Sequence, residues 1–345
     1  MSASSPARTP FRDVAERLAP DLALVDDAMR EQLASSSAVM DLLGTHVLAS
    51  GGKRMRPMLL LLSAELCGYT GPRRIQLAAA IELIHTATLL HDDVVDFSEL
   101  RRGRPSASAI WGNRRAVLAG DFLYARSAEM IVEDGNPDIL WIYANAIRSM
   151  AEGELMQLEK SYDPDVTESH YFAVIERKSA ILLSSACEIG SIPGGVTRAE
   201  GRKVAEYGRA LGVAFQLRDD TLDYAVGEDS LGKPQYTDVR EGKITLPLLL
   251  TLKRCTPAER EQIGGFLKAA ARAELVRGSD AEETVEELDL DPILELVQRY
   301  RGVEDTMRRA EQHADQAAAA LAPFPEGRAK TDLLAAADYT VARER

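Results

Sequence analysis

Apolar residues recur along this chain at intervals of three and four, the period of an amphipathic helix, and no stretch alternates as a half-buried strand would. The pattern predicts helices over residues 11–33, with a break at Pro20, and over 38–48, 57–66 and 75–97. It continues over 116–132, 139–159, 168–189, 198–224, 246–253, 258–271, 281–288, 292–300 and a last stretch 303–337. Glycine and proline punctuate the gaps, at Gly51-Gly52, 68–72, Gly135-Asn136-Pro137 and 191–195. None of these gaps has the length or composition of a linker. The expected architecture is therefore all-α: a polar, disordered start over 1–10, then one helical domain over 11–345.

Composition narrows the function. The 345 residues are 46% hydrophobic and 28% charged, a globular balance. A net charge of -13 argues against a nucleic-acid binder. An anionic ligand would have to be drawn by local cations, and two clusters supply them: Lys53-Arg54-Arg56 and Arg101-Arg102-Arg104. The three cysteines, Cys67, Cys187 and Cys255, have neither disulfide nor zinc spacing and read as packing residues in a reducing cytosol. The start lacks a signal-peptide core, and the apolar run at 58–62 is far short of a membrane span. A soluble, cytoplasmic protein is expected. Residues 227–242, rich in glycine and charge, read as a lid, and the acidic run 279–291 as a solvated helix.

One sequence feature occurs twice: an apolar helix that ends in Asp-Asp-x-x-Asp. Asp92 and Asp96 lie one turn apart on a face, with Asp93 about 100° round the axis. Asp219, Asp220 and Asp223 repeat the spacing, with Gly212 and Gln216 upstream on the same face. Carboxylates so close repel one another unless a cation joins them. Magnesium suits the set, because it takes one or two carboxylates and leaves sites for phosphate oxygens and water. His85 and Thr88 fall on the stripe of Asp92, which points His85 towards a diphosphate; His91 falls off it and reads as structural. Arg101 and Arg102 stand just beyond the aspartates, where guanidinium forks can clamp a phosphate. Gly51 to Pro57 sets cations before a helix start, a good diphosphate cradle, although it is not a nucleotide-binding Walker loop.

Taken in order, GGKRMRP, IELIHTATLLHDDVVD, LRRGRPSAS, GNRRAVLAGDFLYAR, AEGELMQL, ALGVAFQLRDDTLDY and EGKITLPLL resemble the motifs of the trans-isoprenyl diphosphate synthases, or polyprenyl synthetases. The resemblance runs from about Leu24 to the closing YTVARER. It implies a helix bundle around a deep cavity, as a homodimer, with one aspartate cluster on either side of the mouth. Three magnesium ions would bridge the clusters to an allylic diphosphate. By the same resemblance Lys53, Arg56, His85 and Arg102 would hold isopentenyl diphosphate. Arg101, Lys178 and Lys233 would contact the allylic diphosphate, with Ser179, Gln216 and Lys243 nearby. Two positions depart from the family pattern: Ser179 replaces the usual threonine, and Tyr236 stands where a glycine is common.

In this family bulky side chains below the first cluster stop the growing chain. Here those positions hold Ala87 and Thr88, both small, which argues for a medium or long product of octaprenyl type, with Ser127 and Met130 near the floor. No membrane span is expected, only peripheral contact for product release. The alternatives are a geranylgeranyl-length synthase, a terpene cyclase of the same fold and a modulatory subunit of a heteromeric synthase. The cyclases usually lack the isopentenyl diphosphate set.

Overall fold

The computed structural model describes residues 10–34, 38–49, 52–101, 103–224, 236–277 and 288–343. Its first helix, α1 (Phe11–Leu33), runs straight through Pro20, against the expected break. Proline forfeits one backbone bond there. The helix survives because Val14, Leu18, Val25 and Met29 bury a continuous face. After α2 (Ala38–Ala49) comes α3 (Met55–Leu66), in which Leu59, Leu60, Leu61 and Leu62 are all buried. A helix apolar on every side belongs in the middle of a bundle, and α3 packs on α4 (Arg73–Val95) and on α9 (Ile181–Ser191).

A two-residue hairpin, β1 (Leu100–Arg101) and β2 (Arg104–Pro105), follows α4 and leads into the short α5 (Ala107–Trp111). Helix α6 (Asn113–Asp134) packs along α4, and α7 (Pro137–Glu159) returns past it. The predicted helix 168–189 is three pieces: α8 (Glu168–Ile175), a single π-helical turn at Glu176–Ala180, and α9. Helix α10 (Arg198–Leu222) opens with a capping box between Thr197 and Glu200 and packs on α9.

The remaining helices are α11 (Thr237–Arg240), α12 (Leu246–Arg254), α13 (Pro257–Arg277), α14 (Asp291–Arg299), α15 (Gly302–Ala320) and α16 (Arg328–Ala342). The long final helix expected over 303–337 is thus two, because Pro323 and Pro325 cannot continue α15. The expected helix 281–288 and most of the acidic run lie outside the described residues. The cysteines are free thiols, and burial pushes Cys187 up to about 12 and Cys67 up to about 11. No described helix is long and apolar enough to cross a membrane.

Candidate active site

Burial along α4 shows which way the first cluster faces. Residues 77–84 are buried throughout, whereas His85, Thr88, Asp92 and Asp96 form a half-buried stripe one turn apart. The helix therefore leaves the packed core near its middle and lines an opening towards its C-terminal end. Asp92 lies on that stripe. Burial raises its pKa to about 6, aided by the carboxylates of Glu154 and Asp96 and opposed by Lys178 and Arg101. Asp93 is turned inward, only 2% exposed, and accepts a hydrogen bond from Arg101 Nε at 2.7 Å. The β1–β2 hairpin delivers that arginine, turning at Gly103 with φ 73°.

The second cluster closes α10. Asp220 is 1% exposed and accepts hydrogen bonds from Gln216 Nε2 at 2.9 Å and from the Tyr171 hydroxyl. Burial and the nearby Asp238 charge raise its pKa well above the usual carboxylate range. Asp223 accepts from the backbone N–H groups of Thr237 and Asp238 at 3.0 and 3.2 Å. Its pKa rises to about 7, through burial first and the charge of Asp238 second. Asp219 meets Arg343 from the C-terminal end of the chain at 2.6 Å, and the Arg343 guanidinium also lies over the Phe215 ring.

Between the clusters sits the π-helical turn, and it carries Lys178 and Ser179. Two glycines admit it. A Cβ on Gly153 of α7 would lie 2.7 Å from the Lys178 nitrogen, and one on Gly212 of α10 would lie 2.6 Å from the Ala180 Cα. Both contacts are with backbone, so neither site accepts a side chain without moving the turn. In that position Ser179 Oγ donates to Gln216 Oε1 at 2.7 Å, and Lys178 Nζ reaches Glu154 at 2.5 Å and Gln157 Oε1 at 3.2 Å. Lys178 thus acts on Asp92 through its charge alone, while hydrogen bonds run from Ser179 through Gln216 to Asp220.

A second bridge crosses from the loop after α11. Lys243 Nζ lies 3.2 Å from Asp96 and 2.7 Å from Glu241, and those two carboxylates with Asp238 outweigh burial and raise its pKa. Gln157, Lys178, Ser179, Gln216, Asp220 and Lys243 line one cleft. Just before α11, Tyr236 takes φ 60°. This is the left-handed region, which explains why glycine suits the position. Here a tyrosine bears that conformation while its ring packs edge-on to Tyr224 at 6.2 Å. The rest of the expected lid, with Lys233, lies outside the described residues, as does Arg102.

The basic loop divides in two. Arg54, left-handed at φ 48°, is committed to the fold through Asp26 and Glu82, both at 3.0 Å. Lys53 sits over the Tyr339 ring at 5.1 Å, and Phe11 stacks on that ring at 4.3 Å. Arg56 opens α3 and His85 lies on α4, two helices in contact. His91 turns away onto α6, 3.1 Å from the Val117 carbonyl, where Gly120 leaves room for its ring. Ser127 is fully buried, donating to the Ala80 carbonyl at 2.7 Å and accepting from Tyr143 at 2.8 Å. Met130 is buried in the same apolar cluster as Ala87.

Several participants escaped the sequence reading. Glu154 and Gln157 belong to the AEGELMQL motif, whose spacing alone assigns them no role. Tyr171 stands 49 positions from the aspartate it meets and Arg343 stands 124 from Asp219, whereas Asp238 and Glu241 fall within the stretch that reads as a lid. Among the described residues no three metal-ligating side chains converge on one point. The aspartates rest instead on arginine, lysine, hydroxyl and backbone donors. The donor set nevertheless fits a hard divalent cation: all-oxygen, clustered, and so desolvated that Asp92, Asp220 and Asp223 hold protons too tightly.

An all-α bundle that sets Asp220, Lys178 and Lys243 on one cleft, with the first aspartate cluster reached from it by Lys243, fits the class of metal-assisted diphosphate enzymes. A sequence model of the polyprenyl synthetase family matches residues 38–281. An octaprenyl diphosphate synthase of Escherichia coli is 41% identical over 330 residues, covering 96% of this chain and 98% of that one. A polyprenyl synthase of Caulobacter crescentus, solved with calcium and isoprenyl diphosphate, superposes with a TM-score of 0.88 at 39% identity, over 99% of this chain and 100% of that one. A decaprenyl diphosphate synthase of Rhodobacter capsulatus gives 0.86 at 40% identity, covering 97% of this chain and 100% of that one. The chain belongs to the polyprenyl synthetase family.

Proposed function

We propose that the protein is a trans-polyprenyl diphosphate synthase, condensing isopentenyl diphosphate head to tail with an allylic diphosphate. The observation that carries this reading is the connection between the aspartate clusters through one segment, in which the backbone N–H groups of Thr237 and Asp238 hold Asp223 and Lys243 reaches Asp96. Magnesium, as three ions held by Asp92, Asp93, Asp96, Asp219, Asp220 and Asp223, would supply the positive charge that neutralises the departing diphosphate.

The chain's own residues do the remaining work. Arg101, Lys178 and Lys243 rest on carboxylates within reach of the cleft. Each can exchange that partner for an allylic diphosphate oxygen, and the family resemblance adds Lys233 to the set. Lys53, Arg56, His85 and Arg102 hold isopentenyl diphosphate opposite. Ser179 and Gln216 fix one another's orientation, so their oxygen dipoles face the allylic cation without reorganising. The alkene attacks that cation and loses a proton to the released diphosphate. Closure of the loop excludes water.

Purified protein incubated with magnesium, farnesyl diphosphate and labelled isopentenyl diphosphate tests the reading. Elongated polyprenyl diphosphates are expected. A cyclic hydrocarbon would assign a cyclase, and activity appearing only with an added partner would assign a modulatory subunit.

Product length follows from the same stripe on α4. Thr88 lies about 6 Å below Asp92 by helix rise. It is half-buried and turns its hydroxyl back to the His85 carbonyl at 2.7 Å, leaving only a methyl group to the opening. A medium or long product is the result. Ala87 is 1% exposed and packed in the core, so Ala87→Phe tests packing as much as length. Thr88→Phe is the cleaner plug: mass analysis should show products shortened by several isoprene units, and an unchanged distribution would refute the assignment.

The homodimer has support on the surface. Leu118 and Val132 of α6 and Trp141 and Leu155 of α7 are each at least 61% exposed, an apolar face that water alone covers poorly. Trp141→Glu is expected to convert a dimer into a monomer by light scattering. A variant that stays dimeric would place the interface elsewhere.

A further inference from the structure

A second cleft opens behind α8, on α12 and α15. Phe172, Arg254, Asp305, Arg308, Arg309 and His313 line it together with Gln312. Its charge is unlike that of the molecule around it. Asp305 is shared by Arg254 at 2.6 Å and by Arg308, with the positive charge of Arg301 also acting on it. Glu168 is shared by Lys253 at 2.8 Å and by Arg309. Five cations therefore surround two carboxylates, on a chain whose net charge is -13.

Such a ratio exceeds what stapling three helices together requires. One cation per carboxylate would serve, and crowding guanidiniums against one another costs free energy through like-charge repulsion. Arg254 also donates to the Tyr300 carbonyl at 2.6 Å, and each arginine has five N–H donors, more than these partners take, in the planar fork that matches phosphate oxygens. The Phe172 ring walls the cleft and His313 lies beside it, ring centroids 5.9 Å apart. Glu176 is the further carboxylate acting on His313. The position is back to back with the aspartates. Tyr171, next in the chain to Phe172 and edge-on to it at 5.3 Å, reaches through α8 to Asp220.

We propose that this cleft is a second oxyanion site, taking the phosphate oxygens of inorganic diphosphate or of an anionic lipid headgroup. Arg254, Arg308 and Arg309 grip the oxyanion and His313 closes one side. The site does not depend on the reading of the aspartate cleft, since none of its residues belongs to that machinery.

Histidine resonances give a direct readout, because the chain has only five histidines and His313→Gln identifies the relevant one. Protein labelled with ¹³C-histidine is titrated with sodium diphosphate, with metal chelated so that the aspartate clusters hold no cation, and at constant ionic strength. The His313 signal is expected to shift saturably with a midpoint below about 1 mM. Arg308→Gln, at an exposed position, should raise that midpoint roughly ten-fold, the loss of one charge-assisted hydrogen bond. Asp92→Asn should leave it unchanged. Flotation with phosphatidylglycerol and with phosphatidylcholine vesicles separates the two sources. Binding to the anionic vesicles alone, lost in Arg308→Gln, assigns a lipid headgroup, and a diphosphate shift without flotation assigns the free anion. No shift and no flotation, or responses that Arg308→Gln leaves unaltered, would overturn the proposal.

Discussion

Asp220→Asn is expected to abolish most turnover while making the metal-free protein more stable. Asp220 is almost fully buried beside Asp219, Asp223 and Asp238, and its hydrogen bonds from Gln216 and Tyr171 do not offset that desolvation. Asparagine keeps the shape and removes the charge. The melting temperature of chelated protein should rise by roughly 1–2 °C, the effect of relieving about 1 kcal/mol in a chain of this size. The rate, measured with saturating magnesium, should fall by about 10³-fold or more, since a charge that gathers the departing diphosphate is gone. Loss of rate with a lowered melting temperature would mean that Asp220 holds the fold together instead.

The pH dependence follows from the same residues. Asp92 and Asp223 have folded-state pKa values raised to about 6 and about 7, above the ordinary carboxylate value. A raised pKa means that the native state binds protons more readily than the unfolded chain. The stability these groups contribute is therefore present at low pH and is lost as pH rises through about 4 to 7. In chelated protein the stability advantage of Asp223→Asn over wild type should grow across that window. Magnesium should cancel it. An advantage that shrinks with rising pH would reverse the assigned direction.

Gly153→Ala should lower turnover through a single added methyl group. In an ordinary helix the substitution stabilises by up to about 1 kcal/mol. Here the new Cβ would lie 2.7 Å from the Lys178 backbone nitrogen, so the π-helical turn must shift away from α7. Lys178 and Ser179 move with it, and the Ser179–Gln216 contact lengthens. A displacement of about 1 Å at a reacting centre costs on the order of 10²-fold in rate. Steady-state kinetics should show that fall in kcat, with circular dichroism still reporting a folded helical protein. Gly264→Ala is the control: nothing lies within 4 Å of its Cβ, so it should be neutral or slightly stabilising. Equal activity in both variants would remove the positioning role from the turn.

The sequence by itself determined the helices, because their apolar periodicity is local, and it determined the chemistry, because Asp-Asp-x-x-Asp places carboxylates on one helical turn. It also marked the odd residue at position 236, where the fold demands a left-handed backbone. What it missed depended on contacts between distant segments. Proline at position 20 was tolerated because long-range burial outweighed a local defect. The helix over 168–189 acquired a π-helical turn because glycines on α7 and α10 leave room for it, and such room exists only between packed helices. Tyr171 and Arg343 met the aspartates, and Glu154 met Lys178, for the same reason. Spacing along a chain can show that acidic groups will crowd together. Which cations, hydroxyls and backbone donors answer that crowding is decided by packing, since the free energy of burying a carboxylate depends on everything that surrounds it.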